Sequence, residues 1–170
     1  VQSETVMTTT YNEVDLSSVI AIRKKYQDQF IKKHNTKLGF MSFFVKASVN
    51  SLQSFPHLNA ELHQDELIVK RYYDIGIAVA TDEGLVVPVL RSADKLSSAE
   101  IEQGIAELAT KSRDKKITLQ ELQGGTFSIT NGGVFGSLMS TPLLNPPQVG
   151  ILGMHKIMEK PIAVDGEVVV

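Results

Sequence analysis

The stretch from Gly124 to His155, GGTFSITNGGVFGSLMSTPLLNPPQVGILGMH, most constrains what this chain can become. Residues Thr126 to Thr130 alternate hydroxyl-bearing with apolar side chains, which is the period of a β-strand. Asn131-Gly132-Gly133 interrupts it with residues that tolerate positive φ. Val134 to Leu144 then runs through Gly136 and Pro142, and Asn145-Pro146-Pro147 ends the run stiffly. Gln148 to His155 is mostly apolar, the pattern of a second strand buried on both faces. Two neighbouring strands bracketing a long, stiffened loop follow. Thr130 falls where the first strand meets the glycine turn, so its hydroxyl stands beside exposed backbone N–H groups that can together stabilise an oxyanion. The same residues also describe an ordinary β-turn with a threonine at its edge.

Around this stretch the chain reads as a mixture of strands and helices. Val6 to Leu16 alternates and is rich in Thr and Val, which predicts an opening strand. Ser17 or Ser18 is expected to cap a helix with Val19, Ile22, Tyr26, Phe30 and Ile31 on one face and Arg23, Lys24, Lys32 and Lys33 on the other. Phe40 to Ser54 is apolar almost all round and predicts a central helix ended by Phe55-Pro56. Short strands are expected at Leu58–Leu62 and Leu67–Lys70. A hairpin is expected from Asp74–Thr81 into Leu85–Leu90 across Asp82-Glu83-Gly84. Pro88 inside that second arm implies an edge, a bulge or a position needing no N–H. Ser97-Ser98-Ala99-Glu100 is a capping box opening a helix to about Ser112. Gly104 within that helix implies close packing. Thr118 begins a short helical turn, and Pro161–Val164 with Glu167–Val170 make a last strand pair around Asp165-Gly166. This order predicts an α/β fold in two layers, a mixed β-sheet with helices on one face.

The 170 residues form one domain, 1–170, large enough for a sizeable core. A net charge of −2 gives no electrostatic footprint for nucleic acid. No apolar run reaches the ~20 residues of a membrane span, and the start VQSETVMTTT lacks the regions of a signal peptide. Without cysteine there is neither a thiolate nucleophile nor a disulfide framework. An intracellular compartment fits that. His57 and His63 have no partners at metal-ligand spacing, so no metal is expected.

The segments TTTYNEVDLS, KLGFMSFFVKAS, FPHLNAEL and YDIGIAVATDEGLVVPVLR, with the whole of Gly124–His155, resemble the dihydrolipoamide acyltransferase family of the 2-oxo acid dehydrogenase complexes. ITNGGVFGSLMSTP followed by GMH resembles its succinyl-transferring branch, in the 2-oxoglutarate dehydrogenase complex. The resemblance implies the two-layer fold of chloramphenicol acetyltransferase. It also implies transfer of a succinyl group between dihydrolipoyl-lysine and coenzyme A, the lipoyl group coming from a separate domain. Thr130 then becomes the hydroxyl donor to the oxyanion. Asn131 and Gly132 lie near the coenzyme A thiol, and Ser137, Ser140 and His155 line the acyl pocket. A buried succinyl carboxylate needs such donors. The coenzyme phosphates are expected to meet Arg91 or the basic face of the first helix.

Implied partners are a homotrimer assembling into a 24-mer cube, an oxoglutarate decarboxylase and a dihydrolipoamide dehydrogenase. The location is a bacterial cytoplasm or a mitochondrial matrix. The family's general base is a histidine in His-x-x-x-Asp-Gly. None of His34, His57, His63 and His155 is followed by Asp-Gly at that spacing, and the family's N-terminal basic helix is absent too. The chain as written is therefore expected to be inactive, with a non-catalytic core fragment as the alternative reading.

Overall fold

A computed structural model describes Ser3 and residues 5–170. Its centre is a four-stranded mixed sheet in the order β6-β3-β7-β8. These strands are β3 (Ile75–Ile77), β6 (Val89–Leu90), β7 (Phe127–Asn131) and β8 (Ile151–Met154). Strand β7 runs parallel to both neighbours, with Ile75 opposite Phe127 and Thr130 opposite Gly153, whereas β3 and β6 are antiparallel. Three two-stranded hairpins surround the sheet: β1 (Ala60–His63) with β2 (Glu66–Val69), β4 (Val79–Thr81) with β5 (Gly84–Val86), and β9 (Ile162–Val164) with β10 (Glu167–Val169).

Two helices supply the second layer, α2 (Met41–Ser54) and α3 (Ser98–Arg113). Val45, Val49 and Leu52 of α2 join Ile101 and Leu108 of α3 over Ile75, Ile77, Leu90, Ile129 and Met154 in one core. The two-layer α/β architecture expected from the element order is the one present. Helix α3 begins with the anticipated capping box, Ser97 and Glu100 bonding each other's backbone N–H. Gly104 explains itself, because a Cβ there would lie 2.7 Å from Leu90 Cδ1. The second helix has no side-chain cap of its own. Glu102 of α3 accepts from Ser42 N–H at 2.9 Å instead, placing a carboxylate at the positive end of α2. Gly39 makes room for it, since a Cβ would meet the Glu102 carboxylate at 2.6 Å.

Pro88 sits in the break between β5 and β6. It has no N–H to contribute, but its carbonyl accepts from Ile77 N–H at 2.8 Å. The short turn α4 (Leu119–Leu122) is capped by Thr118 and Glu121.

Several expectations are corrected. Residues 5–16 carry no strand, and their alternation is left exposed. A strand needs a partner edge as well as a suitable sequence. Helix α1 (Ser17–His34) starts after Leu16, and the carboxylate of Asp15 accepts from Ser17 N–H at 2.8 Å, so neither Ser17 nor Ser18 is the cap. No residue of α1 is buried. Residues Pro56–Asn59 form a 3₁₀ turn where a strand was expected, so β1 starts only at Ala60. Helix α2 buries one stripe rather than its whole surface. Among the described residues no helix is long and apolar enough to cross a membrane.

Candidate active site

Strand β7 is the middle of the sheet, so the predicted alternation does not mark an exposed face. Thr126, Ser128 and Ile129 are all buried. The polar members are satisfied locally. Thr126 N–H donates to the Asp74 carbonyl at 2.7 Å, and the Ser128 hydroxyl donates to Gln148 Oε1 at 2.6 Å. Gln148 is itself buried, and a Cβ on Gly125 would lie 2.9 Å from its Nε2. This bond ties the far end of the loop back to the strand where the loop began. Strand β8 is at the sheet's edge, and only Met154 of it is buried, not both faces as expected.

At its C-terminal end β7 delivers Thr130, half-buried, opposite Gly153. Asn131 Oδ1 accepts from Gly133 N–H at 3.0 Å, and Gly132 N–H donates to the Met154 carbonyl at 3.0 Å. Gly132 has φ −80°; the positive φ expected at this turn occurs instead at Gly136, φ 81°. The glycine at 133 is required by space: a Cβ there would stand 2.4 Å from the His155 carbonyl oxygen.

The loop then folds back. Ser137 N–H donates to the Gly132 carbonyl, and Lys156 N–H donates to the Ser137 carbonyl at 2.8 Å. Ser140 Oγ lies 2.9 Å from His155 Nε2. Paired residues of adjacent strands present their Cβ positions to the same face. A Cβ on Gly153 would lie 2.9 Å from Pro142 Cγ and 3.7 Å from His155 Cε1. The His155 ring therefore lies on the face that carries Thr130. Thr130, Asn131 and Gly132 thus end one strand, while Ser137, Ser140 and His155 gather around the end of the next.

Two of the candidate cations for the coenzyme phosphates, Arg91 and Arg23, are already engaged. The Arg91 guanidinium donates to Asp74 Oδ2 at 2.9 Å and to the carbonyls of Gln120 and Gln123. Arg23 donates to the Leu38 carbonyl and covers the Phe40 ring at 3.9 Å. Two hollows lie elsewhere: about 450 Å³ lined by Leu90, Arg91, Gly104, Lys111 and Glu121 among others, and about 260 Å³ lined by Ala80, Thr81, Asp82 and Arg113. The loop beside Thr130 instead exposes Val134, Phe135, Leu138 and Met139 to solvent.

The reading from sequence missed Gln148 and Tyr11. A polar residue opening an apolar strand was the available signal for Gln148. Tyr11, assigned to a strand, donates its hydroxyl to the Ser140 carbonyl at 3.1 Å.

A mixed sheet backed by two helices is the fold of acyltransferase cores of the chloramphenicol acetyltransferase type, with which this chain superposes. The family described as 2-oxoacid dehydrogenases acyltransferase (catalytic domain) matches residues 1–170, and the chain belongs to it.

Among its relatives is the dihydrolipoyllysine-residue succinyltransferase component of the 2-oxoglutarate dehydrogenase complex of Bacillus subtilis (strain 168), 64% identical over 167 residues. The alignment covers 98% of this chain and 40% of that protein. The component of the same name from Haemophilus influenzae is 55% identical over 169 residues, covering 99% of this chain and 41% of the relative. The chain thus spans about two fifths of the length of these relatives. Among solved structures, a probable dihydrolipoamide acetyltransferase from Listeria monocytogenes superposes with a TM-score of 0.87 at 35% identity, over 92% of this chain and 67% of that one. The cubic core of a pyruvate dehydrogenase multienzyme complex gives 0.86 at 36% identity, over 91% and 63%.

Proposed function

We propose that this chain is the catalytic core of an enzyme that transfers a succinyl group between dihydrolipoyl-lysine and coenzyme A in a 2-oxoglutarate dehydrogenase complex. The observation that carries the reading is the 64% identity over 167 residues to a relative bearing that name. In the reaction the sulfur of one thiol attacks the carbonyl carbon of the succinyl thioester on the other. The carbonyl oxygen takes the negative charge. A base removes the attacking thiol's proton, and collapse of the tetrahedral species expels the second sulfur, which is protonated.

Thr130 donates its hydroxyl to that oxyanion, the role its place at the strand end supports. Asn131 and Gly132 border the coenzyme A thiol, where the turn brings backbone close to the surface. Ser137, Ser140 and His155 hold the succinyl carboxylate. Their convergence across the loop supports this, with Ser140 and His155 already 2.9 Å apart.

The base in this reading is a histidine of a His-x-x-x-Asp-Gly segment, which does not occur among residues 1–170. The exposed Val134, Phe135, Leu138 and Met139 support burial against further subunits, a trimer in a 24-subunit cube. Companion decarboxylase and dehydrogenase components would complete the complex, in a bacterial cytoplasm given bacterial relatives.

The experiment is an assay of succinyl-CoA with dihydrolipoamide, for the complete enzyme and for residues 1–170 alone. Turnover by the complete enzyme only is expected. Thr130→Ala in that enzyme is expected to cost about 2–4 kcal/mol of transition-state stabilisation. A loss below about threefold would remove Thr130 from the oxyanion role.

A further inference from the structure

Residues 5–16 belong to no helix or strand, yet one part of this segment is fixed to the candidate acyl site. Tyr11 donates its hydroxyl to the Ser140 carbonyl at 3.1 Å across 129 residues of sequence. Its ring stands 6.5 Å from the His155 ring, tilted by 43°, within the range of favourable aromatic contact. Two residues further on, Glu13 pairs with Lys160, which follows the strand that ends at Met154. Both partners of that pair are substantially exposed, so it contributes little by itself. The tyrosine is the more informative contact.

We infer that Tyr11 is a positioning residue that makes the Ser140–His155 pair selective for an acyl group ending in a carboxylate. The inference rests on the proposed role of Ser140 and His155. Ser140 lies in a loop without regular structure and is exposed. Its hydroxyl bridges to His155 Nε2, and its carbonyl is held by Tyr11. Without the second bond the Ser140 backbone is free to rotate, and the hydroxyl loses its aim. The direction of the bridge matters as well. When Nε2–H donates to Ser140 Oγ, the serine proton is released to donate onward to a carboxylate. When Nε2 accepts, that proton is taken. Tyr11 touches neither the thioester nor the transferred carbonyl. It acts through Ser140, so it is expected to alter which acyl group is held rather than the acyl-transfer step.

The test is Tyr11→Phe in the complete, assembled enzyme, which keeps the ring beside His155 and removes only the hydroxyl. Rates with succinyl-CoA and acetyl-CoA are measured in parallel, with His155→Phe as the companion variant. Loss of one hydrogen bond is expected to lower the succinyl-to-acetyl ratio of kcat/KM by about fivefold. Most of the change is expected in KM for succinyl-CoA. An unchanged ratio, or an equal fall for both donors as general loosening would give, overturns the inference. If His155→Phe shifts the ratio while Tyr11→Phe does not, the positioning role alone is lost. If neither shifts it, the carboxylate role of the pair falls too.

Discussion

The sheet and the loop that joins its last two strands are built on opposite terms. In the sheet, Ile75 and Ile129 are wholly buried, sealed by Val45 of α2 and Ile101 of α3, and its buried Ser128 hydroxyl is satisfied by Gln148. The loop from Gly132 to Gly150 leaves Val134 and Phe135 more than 70% exposed and is tied down at only a few points, its two ends, Ser137 and Ser140. A core that needs nothing from outside thus carries a loop whose apolar side chains have no cover in a single chain.

That separation breaks most visibly under truncation. Ile129→Ala is expected to cost about 3 kcal/mol of unfolding free energy, from lost burial and the cavity left behind. Phe135→Ala, despite removing a larger side chain, is expected to change the isolated chain by less than about 0.5 kcal/mol. Urea unfolding of both variants measures the contrast, and equal losses would mean the loop is part of the core. The boundary between the regions is the buried bond of Ser128 to Gln148. Gln148→Leu strands the Ser128 hydroxyl in the interior and is expected to destabilise by about 1–3 kcal/mol, by the same assay.

The smallest effect concerns α4, beside the end of α3. Glu121 accepts from the Thr118 backbone, then from Lys111 and the Thr118 hydroxyl, and these bonds lower its pKa from the ordinary 4.5 to about 2. The folded value is the depressed one, so ionised Glu121 favours the native turn above pH 4.5. That advantage fades as pH falls from 4.5 toward 2. The melting temperature of the parent chain is expected to exceed that of Glu121→Gln slightly at pH 7, with the gap narrowing below pH 4.5 and closing only by about pH 2. A gap that persists in acid would show that the charge is not its source.

Local chemistry made much of the fold legible. Capping residues announced α3 and α4, and Asp165-Gly166 announced the last hairpin, because those signals are satisfied within a few residues. The parallel pairing of β3 with β7 joins residues some fifty positions apart, and nothing local in either strand encodes it. The alternation of residues 6–14 was as good as that of β7, but no strand edge receives it among the described residues. At the candidate site, the strand–turn–strand frame was readable from glycine and proline. The reason for Gly133 was not, since it is set by the His155 carbonyl arriving from the next strand.

The anchoring of the loop at its two ends has an evolutionary consequence. Asn131 and Gly132 fasten the exit from β7, and Gln148 fastens the entry to β8, so the register of the parallel pair does not depend on what lies between. A register slip would turn every side chain of β8 to the wrong face. Here the intervening residues other than Gly133, Ser137, Ser140 and Pro142 can be exchanged without provoking one. The segment behaves as a cassette: descendants of one scaffold can acquire new acyl preferences by rewriting it while inheriting the same sheet unchanged.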